Sequence, residues 1–401
     1  MALFGMLGKK RGGSTIALDL GSSSLKVVQL KEEQAGPRLV KLGIAGIPYG
    51  GIKDGQVTDI KAVANTLSRL LSANQIKEKF CISALSGEQV IVRLVKLPPM
   101  SEQEVKQAIS YQIERYIPLP PDQVNLDVQV LGEVMEGETK KVSVLLIAAQ
   151  KEAINSQIKT LQEAKLTPTA IEVESFVALR SSLESAYLKD AQTFGQTLLL
   201  IDIGASSSDI SVVSNGVLRF TRIIPVAGIN FTRAISTALN LNFEEAERLK
   251  KEQGAALVNG DTEGLDLPTA KQIVNILTPI LGSLLNEIQR SLAYYESRFR
   301  RAKIDKVILS GGSSKLRNIK EYLNRELGLE VVEVNPWQNI VYDEKTFSPD
   351  YLSRVAPLLS VGCGLALREL GPESQEKFTK PVRLDDNFEF GSSRQTGGFG
   401  G

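Results

Sequence analysis

Histidine is missing from this chain of 401 residues. Its absence removes Ser-His-Asp and Cys-His activation of a nucleophile, and with them the usual histidine-bearing zinc site. Any chemistry here must run on carboxylates, lysines, hydroxyls and bound cations. Cysteine is almost as scarce: Cys81 and Cys363 are the two, far apart and each in an apolar stretch. That usage fits buried thiols in a reducing compartment better than a disulfide framework, and points to the cytoplasm. Net charge is nearly absent as well. Lys and Arg total 47 against 46 Asp and Glu, so there is no overall basic field to gather nucleic acid or anionic lipid. No apolar run has the length of a membrane span. The start, MALFGMLGKKRGG, puts its basic cluster after its apolar residues, the reverse of a signal peptide. Leu3, Phe4, Met6 and Leu7 there are either a contact for a membrane or partner, or a mobile start without a role.

What the chain does have is length and an apolar content of 42%, enough for a large core split over more than one lobe. IALDLG, LKVVQL and RLVKLGIAGIP read as a meander of three strands, followed by a helix over 60–76 and a strand, FCISALSG. The next segment differs in character. VIVRLVKL is a strand closed by Pro98 and Pro99. Ser101 and Glu104 then form a capping box for one helix, with Val105, Ala108, Ile109, Ile113, Tyr116 and Ile117 on a single face until Pro118. VNLDVQVLGEV and KKVSVLLIAAQ follow as two strands, so strand, helix, strand, strand makes a separate unit. A helix near 151–165 and the strand TAIEVES lead back. From 198 the opening pattern restarts, which marks an internal duplication. A charged helix (243–254), a long helix (269–302), a strand-turn-helix at KVILSGGSSKLRNIKEYLNREL and a Gly-punctuated helix (359–370) complete it. Everything after Gly371 is polar and Gly-rich and is expected to be disordered.

The duplicated element is a turn. IALDLGSSSLKVVQL (16–30) and LLLIDIGASSSDISVV (198–213) each put an aspartate at the end of an apolar strand, then glycine, then small hydroxyl residues. Gly21 and Gly204 let the backbone approach a ligand. The following N–H groups and the hydroxyls of Ser22, Ser23, Ser24, Ser206 and Ser207 make a concave donor surface suited to phosphate oxygens. Asp19 and Asp202 cannot face phosphate directly, but they can hold Mg²⁺, or waters around it, and so bridge to it. Lys26, seven positions after Asp19, can point back at the same phosphates. A single such turn is an ordinary strand connection; two at equivalent places in a duplicated chain predict a polyphosphate held between two lobes. The Gly311-Gly312-Ser313 turn offers bare backbone to an adenine or ribose, and close strand–helix packing explains that turn equally well.

The two hairpins, the GGSS turn and the final Gly-rich helix occur in the order typical of the actin/Hsp70/sugar-kinase ATPase superfamily, and the resemblance covers nearly all of 14–370. It implies an α/β, duplicated actin-like (ribonuclease H-like) fold with an inserted strand-helix-strand-strand subdomain. The divisions would be a flexible leader (1–13), a first lobe (14–87 with 166–197), the insert (88–165), a second lobe (198–370) and a disordered tail (371–401). FEEAERLK resembles the helix whose Glu and Lys, here Glu247 and Lys250, embrace the nucleoside in bacterial actins; the bland reading of that pair is a solvated helical face. Asp202 and Glu174 are the candidates for orienting water at the terminal phosphate, with slow hydrolysis at most. The insert and the leader resemble the PilM family of type IV pilus assembly proteins, with the cell-division protein FtsA as the neighbouring branch. The tail EKFTKPVRLDDNFEFGSSRQTGGFG has too few apolar positions for an FtsA-type membrane helix, and no role follows from it.

That resemblance implies MgATP as the ligand and a place on the cytoplasmic side of the inner membrane. Attachment there would come from the N-terminal peptide of PilN, docked between the insert and the first lobe, with Val92, Ile109, Ile113 and Tyr116 as candidates for the groove floor, ordinary core packing of the insert being the plain reading of each. A filament-forming division protein or a small-molecule kinase of the same superfamily are the alternatives.

Overall fold

The computed structural model describes residues 15–136, 138–187, 195–257, 262–299, 303–370 and 383–392. The leader and the rest of the segment after Leu370 lie outside them. The chain opens with β1 (Thr15–Leu20), β2 (Ser24–Glu33) and β3 (Gly36–Gly46), then a short hairpin of β4 (Ile52–Lys53) and β5 (Gln56–Val57). Helix α1 (Ile60–Ala73) starts where the Asp59 carboxylate accepts from the Ala62 N–H, and β6 (Phe80–Leu85) follows. After the insert, which holds two helices and three strands of its own, the chain returns through α4 (Lys151–Glu163), then β10 (Thr167–Val173) and α5 (Glu174–Tyr187). The first sheet runs β10-β6-β1-β2-β3.

The insert contains β7 (Val90–Leu97), α2 (Glu102–Tyr111), α3 (Ile113–Tyr116), β8 (Val124–Glu136) and β9 (Thr139–Gln150), with the sheet ordered β7-β9-β8. The capping box is present: the Ser101 N–H and hydroxyl donate to Glu104, and the Glu104 N–H donates to Ser101. The single helix expected up to Pro118 is instead broken at Gln112, whose φ of −116° and ψ of 20° are not helical. The break lets Ile113 and Ile117 turn toward Val124 and Ala148, while Val105 and Ile109 pack on Val142, Val144 and Leu146.

The second lobe repeats the first. It runs β11 (Thr197–Ile203), β12 (Ser208–Ser214), β13 (Val217–Ile224), α6 (Gly228–Leu239), α7 (Phe243–Gln253), α8 (Leu267–Arg298), β14 (Lys306–Ser310), α9 (Ile319–Leu327), β15 (Val331–Glu333), α10 (Pro349–Val355) and α11 (Ser360–Arg368). Its sheet is ordered β15-β14-β11-β12-β13, with β16 (Arg383–Ser392) added at the end. In both sheets the lobe's first strand lies between an antiparallel hairpin partner and a parallel strand that arrives later. The expected duplication is therefore a duplication of topology. One expectation fails: within the tail read as disordered, Arg383–Ser392 is a strand paired parallel to β13. Its ten residues hold three Asp and Glu and only three apolar residues, so hydrophobicity gave no sign of it; an open sheet edge supplies backbone partners instead.

Packing explains how the lobes hold together. One face of the first sheet buries Ile16, Leu18 and Val27 against α1 and α4; the other buries Ala17, Val28 and Ile82 against α5 and α11. A further core joins Val90, Val92 and Leu145 of the insert to Leu198, Leu218 and Ile223 of the second lobe. Cys81 and Cys363 are fully buried and not joined in a disulfide. No helix of the described residues is long and apolar enough to cross a membrane.

Candidate functional site

The two Gly-Ser turns meet. Ser22 Oγ donates to Ser206 Oγ at 3.2 Å, across 184 positions of sequence. In the first hairpin the strand register sets Asp19 opposite Lys26, and Lys26 Nζ lies 3.0 Å from Asp19 Oδ2. A Cβ on Gly21 would stand 2.9 Å from that ammonium and 3.2 Å from the Ser24 carbonyl, so only glycine leaves this turn undisturbed. Ser23 is exposed at the tip, and Ser24 opens β2. The second hairpin repeats the geometry: the Gly204 N–H donates to the Ser207 carbonyl at 3.0 Å, and a Cβ on Gly204 would lie 2.8 Å from that oxygen. Here, however, the register sets Asp202 opposite Asp209. The position that is basic in one lobe is acidic in the other.

The charges converge on this meeting point. Burial pulls the Lys26 ammonium down, but the charge and hydrogen bond of Asp19, backed by Glu174 and Asp202, outweigh it and hold it above its ordinary value. Burial raises Glu174 well above the ordinary carboxylate range, and Asp19, Asp209 and Asp202 push it further in the same direction. Asp202 is lifted to about 6, chiefly by burial, although it accepts a 2.6 Å hydrogen bond from Ser310 Oγ. Asp209 is lifted to about 8 by burial, then by Asp202 and Glu88. The cluster is thus short of positive charge, which is the condition a divalent cation relieves. Among the described residues no group of three or more Asp, Glu or Cys is placed to hold a metal. Two carboxylates, such as Asp19 and Asp202, with waters and phosphate oxygens completing the shell, are the donor set that Mg²⁺ commonly takes.

The third turn closes over the second. Gly311 takes φ +90°, and a Cβ there would run into the Ile203 backbone; Gly312 beside it faces open space. Ser313 Oγ donates to the Gly204 carbonyl at 2.6 Å. Gly228, the first residue of α6, packs so close that a Cβ would strike Ser313 Oγ, and its N–H donates to the Gly204 carbonyl at 3.2 Å. Glu247 and Lys250 belong to the same assembly and are not on a solvated face. Lys250 Nζ reaches Glu247 Oε2 at 2.7 Å, Thr232 Oγ1 at 2.8 Å and the Gly228 carbonyl at 3.1 Å. Burial lowers the Lys250 ammonium; it also acts to raise Glu247, but Lys250 and the Thr232 hydroxyl overcome that and hold it below its ordinary value.

Sequence reasoning missed Asp209, Ser310 and Gly228. Asp209 was within reach, because it follows Asp202 at the spacing by which Lys26 follows Asp19. It also missed a bridge at the mouth of the cleft. The Tyr49 ring stacks on Phe243 of α7 with centroids 3.7 Å apart, and Arg233 of α6 donates to the Tyr49 hydroxyl at 3.3 Å.

The proposed groove floor is not assembled as expected. Val92 is buried on the insert face that packs against the lobes, while Ile109, Ile113 and the partly buried Tyr116 are on the opposite face, inside the insert. Alternation along β7 and β9 separates them. They are core residues of two layers and do not line one surface.

With this geometry in place, comparison with known proteins is informative. A family model described as type IV pilus assembly protein PilM matches residues 17–370. The protein of a solved structure titled "PilM-PilN type IV pilus biogenesis complex" superposes with a TM-score of 0.76 at 30% identity, over 90% of this chain and 99% of that one. Cell division protein FtsA of Escherichia coli (strain K12) is 23% identical over 79% of this chain and 82% of its own. For FtsA of Bacillus subtilis (strain 168) the identity is 26% over 62% of this chain, which spans only 60% of that relative. The ethanolamine utilization protein EutJ of Carboxydothermus hydrogenoformans, at 17% identity and a TM-score of 0.50 over 88% of each chain, shares the fold.

Proposed function

Since the chain belongs to the family of type IV pilus assembly protein PilM, we propose that it is an ATP-binding scaffold of the pilus assembly machinery. In this reading MgATP sits between the twin turns and an extended peptide docks against the insert. The observation that carries it is the Ser22–Ser206 contact, which brings two donor turns of the same construction together from separate lobes. Backbone amides of both turns and the Lys26 ammonium would bind the phosphates, and Asp19 and Asp202 would hold Mg²⁺, which supplies charge neutralisation when bound. Glu247, Lys250 and the Gly311–Gly312 backbone would face the nucleoside.

Slow hydrolysis follows from the same electrostatics. Glu174 is raised well above its ordinary value by burial and by three neighbouring carboxylates, which makes it less available in the ionised form that orients and deprotonates water. The partner would be the N-terminal peptide of PilN, named with PilM in the solved complex. It would enter between the insert and the first lobe and hold the chain at the cytoplasmic face of the inner membrane. Titration calorimetry with MgATP and, separately, with that peptide tests both halves. Saturable heat is expected in each, and a flat MgATP titration at millimolar nucleotide would sink the nucleotide reading.

The aromatic bridge gives a second test. Tyr49→Ala removes a stack between the lobes worth about 1 kcal/mol, so release of a fluorescent ATP analogue should accelerate roughly fivefold. Stopped-flow displacement reads it directly; an unchanged rate would mean that the bridge does not limit escape from the cleft.

A further inference from the structure

Both lobes leave the same sheet edge to be closed by chain that arrives later. In the first lobe the edge is β3. Residue Val341, which follows the second lobe's last sheet strand before β16, bridges it in parallel: the Leu39 N–H donates to the Val341 carbonyl, and the Val341 N–H to the Pro37 carbonyl, each at 2.8 Å. In the second lobe the equivalent edge is β13, and β16 closes it, also in parallel, with Val217 opposite Arg383 and Ile223 opposite Ser392. β16 also comes close to β7, an edge strand of the insert sheet. The segment thus lies beside edge strands of both the insert sheet and the second lobe's own sheet. An exposed edge is a template for any extended chain, and this one has a tethered occupant. The match to the PilM family ends at residue 370, so the occupant comes from outside the part of the chain that the family describes.

We propose that the β13 edge, flanked by β7, is a strand-acceptor site whose resident ligand is this chain's own segment 383–392, bound in cis, and that its release opens the edge to an extended peptide. Residues 371–382 connect it to α11 and at about 3.3–3.6 Å each are long enough to allow release without unfolding the lobe. While seated, the strand also ties the insert to the second lobe.

Amide hydrogen exchange on the full chain tests this. In the double variant Glu389→Pro/Phe390→Pro one of the two adjacent prolines removes an N–H that faces β13. The expected result is at least tenfold faster exchange of the outward-facing amides of 217–223, with β3 unchanged. A labelled peptide of sequence PVRLDDNFEFGSSR should bind that variant saturably and the unaltered chain not at all. A second variant ending at Leu370, the limit of the family match, should behave in the same way. Equal exchange at 217–223 in all three chains, or no peptide binding by either variant, would overturn the site. Protection that grows with protein concentration would overturn pairing in cis in favour of a strand donated by a second copy.

Discussion

Replacing Glu172 with Ala should cost about 3–5 kcal/mol of stability, because it breaks a buried ion triad from its centre. Glu172 on β10 is fully buried, with Arg180 of α5 at 2.7 Å on one carboxylate oxygen and Arg368 of α11 at 3.0 Å on the other. Arg180 also donates to the Gly364 carbonyl at 2.6 Å, which stitches α5 to α11 behind the cleft. Removing the carboxylate strips two largely buried guanidiniums of their shared counter-charge. Glu172→Gln keeps the shape and one acceptor, so it should fall between wild type and Glu172→Ala. The pH dependence has a definite sign. Burial alone would raise this carboxyl, yet the two guanidiniums hold it below its ordinary value of 4.5. The triad's contribution is then complete above 4.5 and is lost as pH falls through the depressed value, so the gap between wild type and Glu172→Gln should narrow in acid. Urea midpoints from neutral pH downward check both statements. A loss below about 1 kcal/mol for Glu172→Ala would mean that the guanidiniums find solvent, against the burial described.

Gly311→Ala should weaken nucleotide binding at least tenfold while its neighbour is indifferent to the same change. At Gly311 the backbone has φ +90° and an added Cβ meets the main chain of Ile203, which cannot swing aside as a side chain can; at Gly312 nothing lies within 4 Å. The first substitution should destabilise by about 2–4 kcal/mol and displace the strand that ends at Asp202, with ATP affinity falling at least tenfold. Gly312→Ala should stay within about 0.5 kcal/mol of wild type. Paired thermal melts and ATP titrations of the two variants decide the matter. Equal behaviour would show that the turn is not held against β11 as described.

Much of this architecture was legible in the sequence because the duplicated turn is short, local and built from residue types with definite backbone consequences. Asp19, Gly21, Asp202, Gly204 and Gly311 fall where strand-end and turn chemistry puts them. Residues that act through register were harder to see. Asp209 reads as one more polar residue in a strand until β11 and β12 are paired, and Gly228 as a helix start until Ser313 packs over it. The insert misled for a related reason: helical periodicity marked Ile109 and Ile113 as one apolar face, but could not say that β9 turns Val92 away from them. Strand β16 lay beyond pattern recognition, since its partner is an edge exposed by the fold of another segment.

The two native thiols divide the molecule unequally. Cys81 packs with α1 and Cys363 with Val28, on opposite faces of the first sheet, and burial pushes the Cys81 thiol up to about 12. Cys363 is carried by α11 of the second lobe, yet both thiols pack on the first sheet and neither on the second. A thiol reagent added to the untouched protein therefore becomes a sheet-selective clock, silent to breathing within the second sheet and reporting only when one flank of the first comes apart.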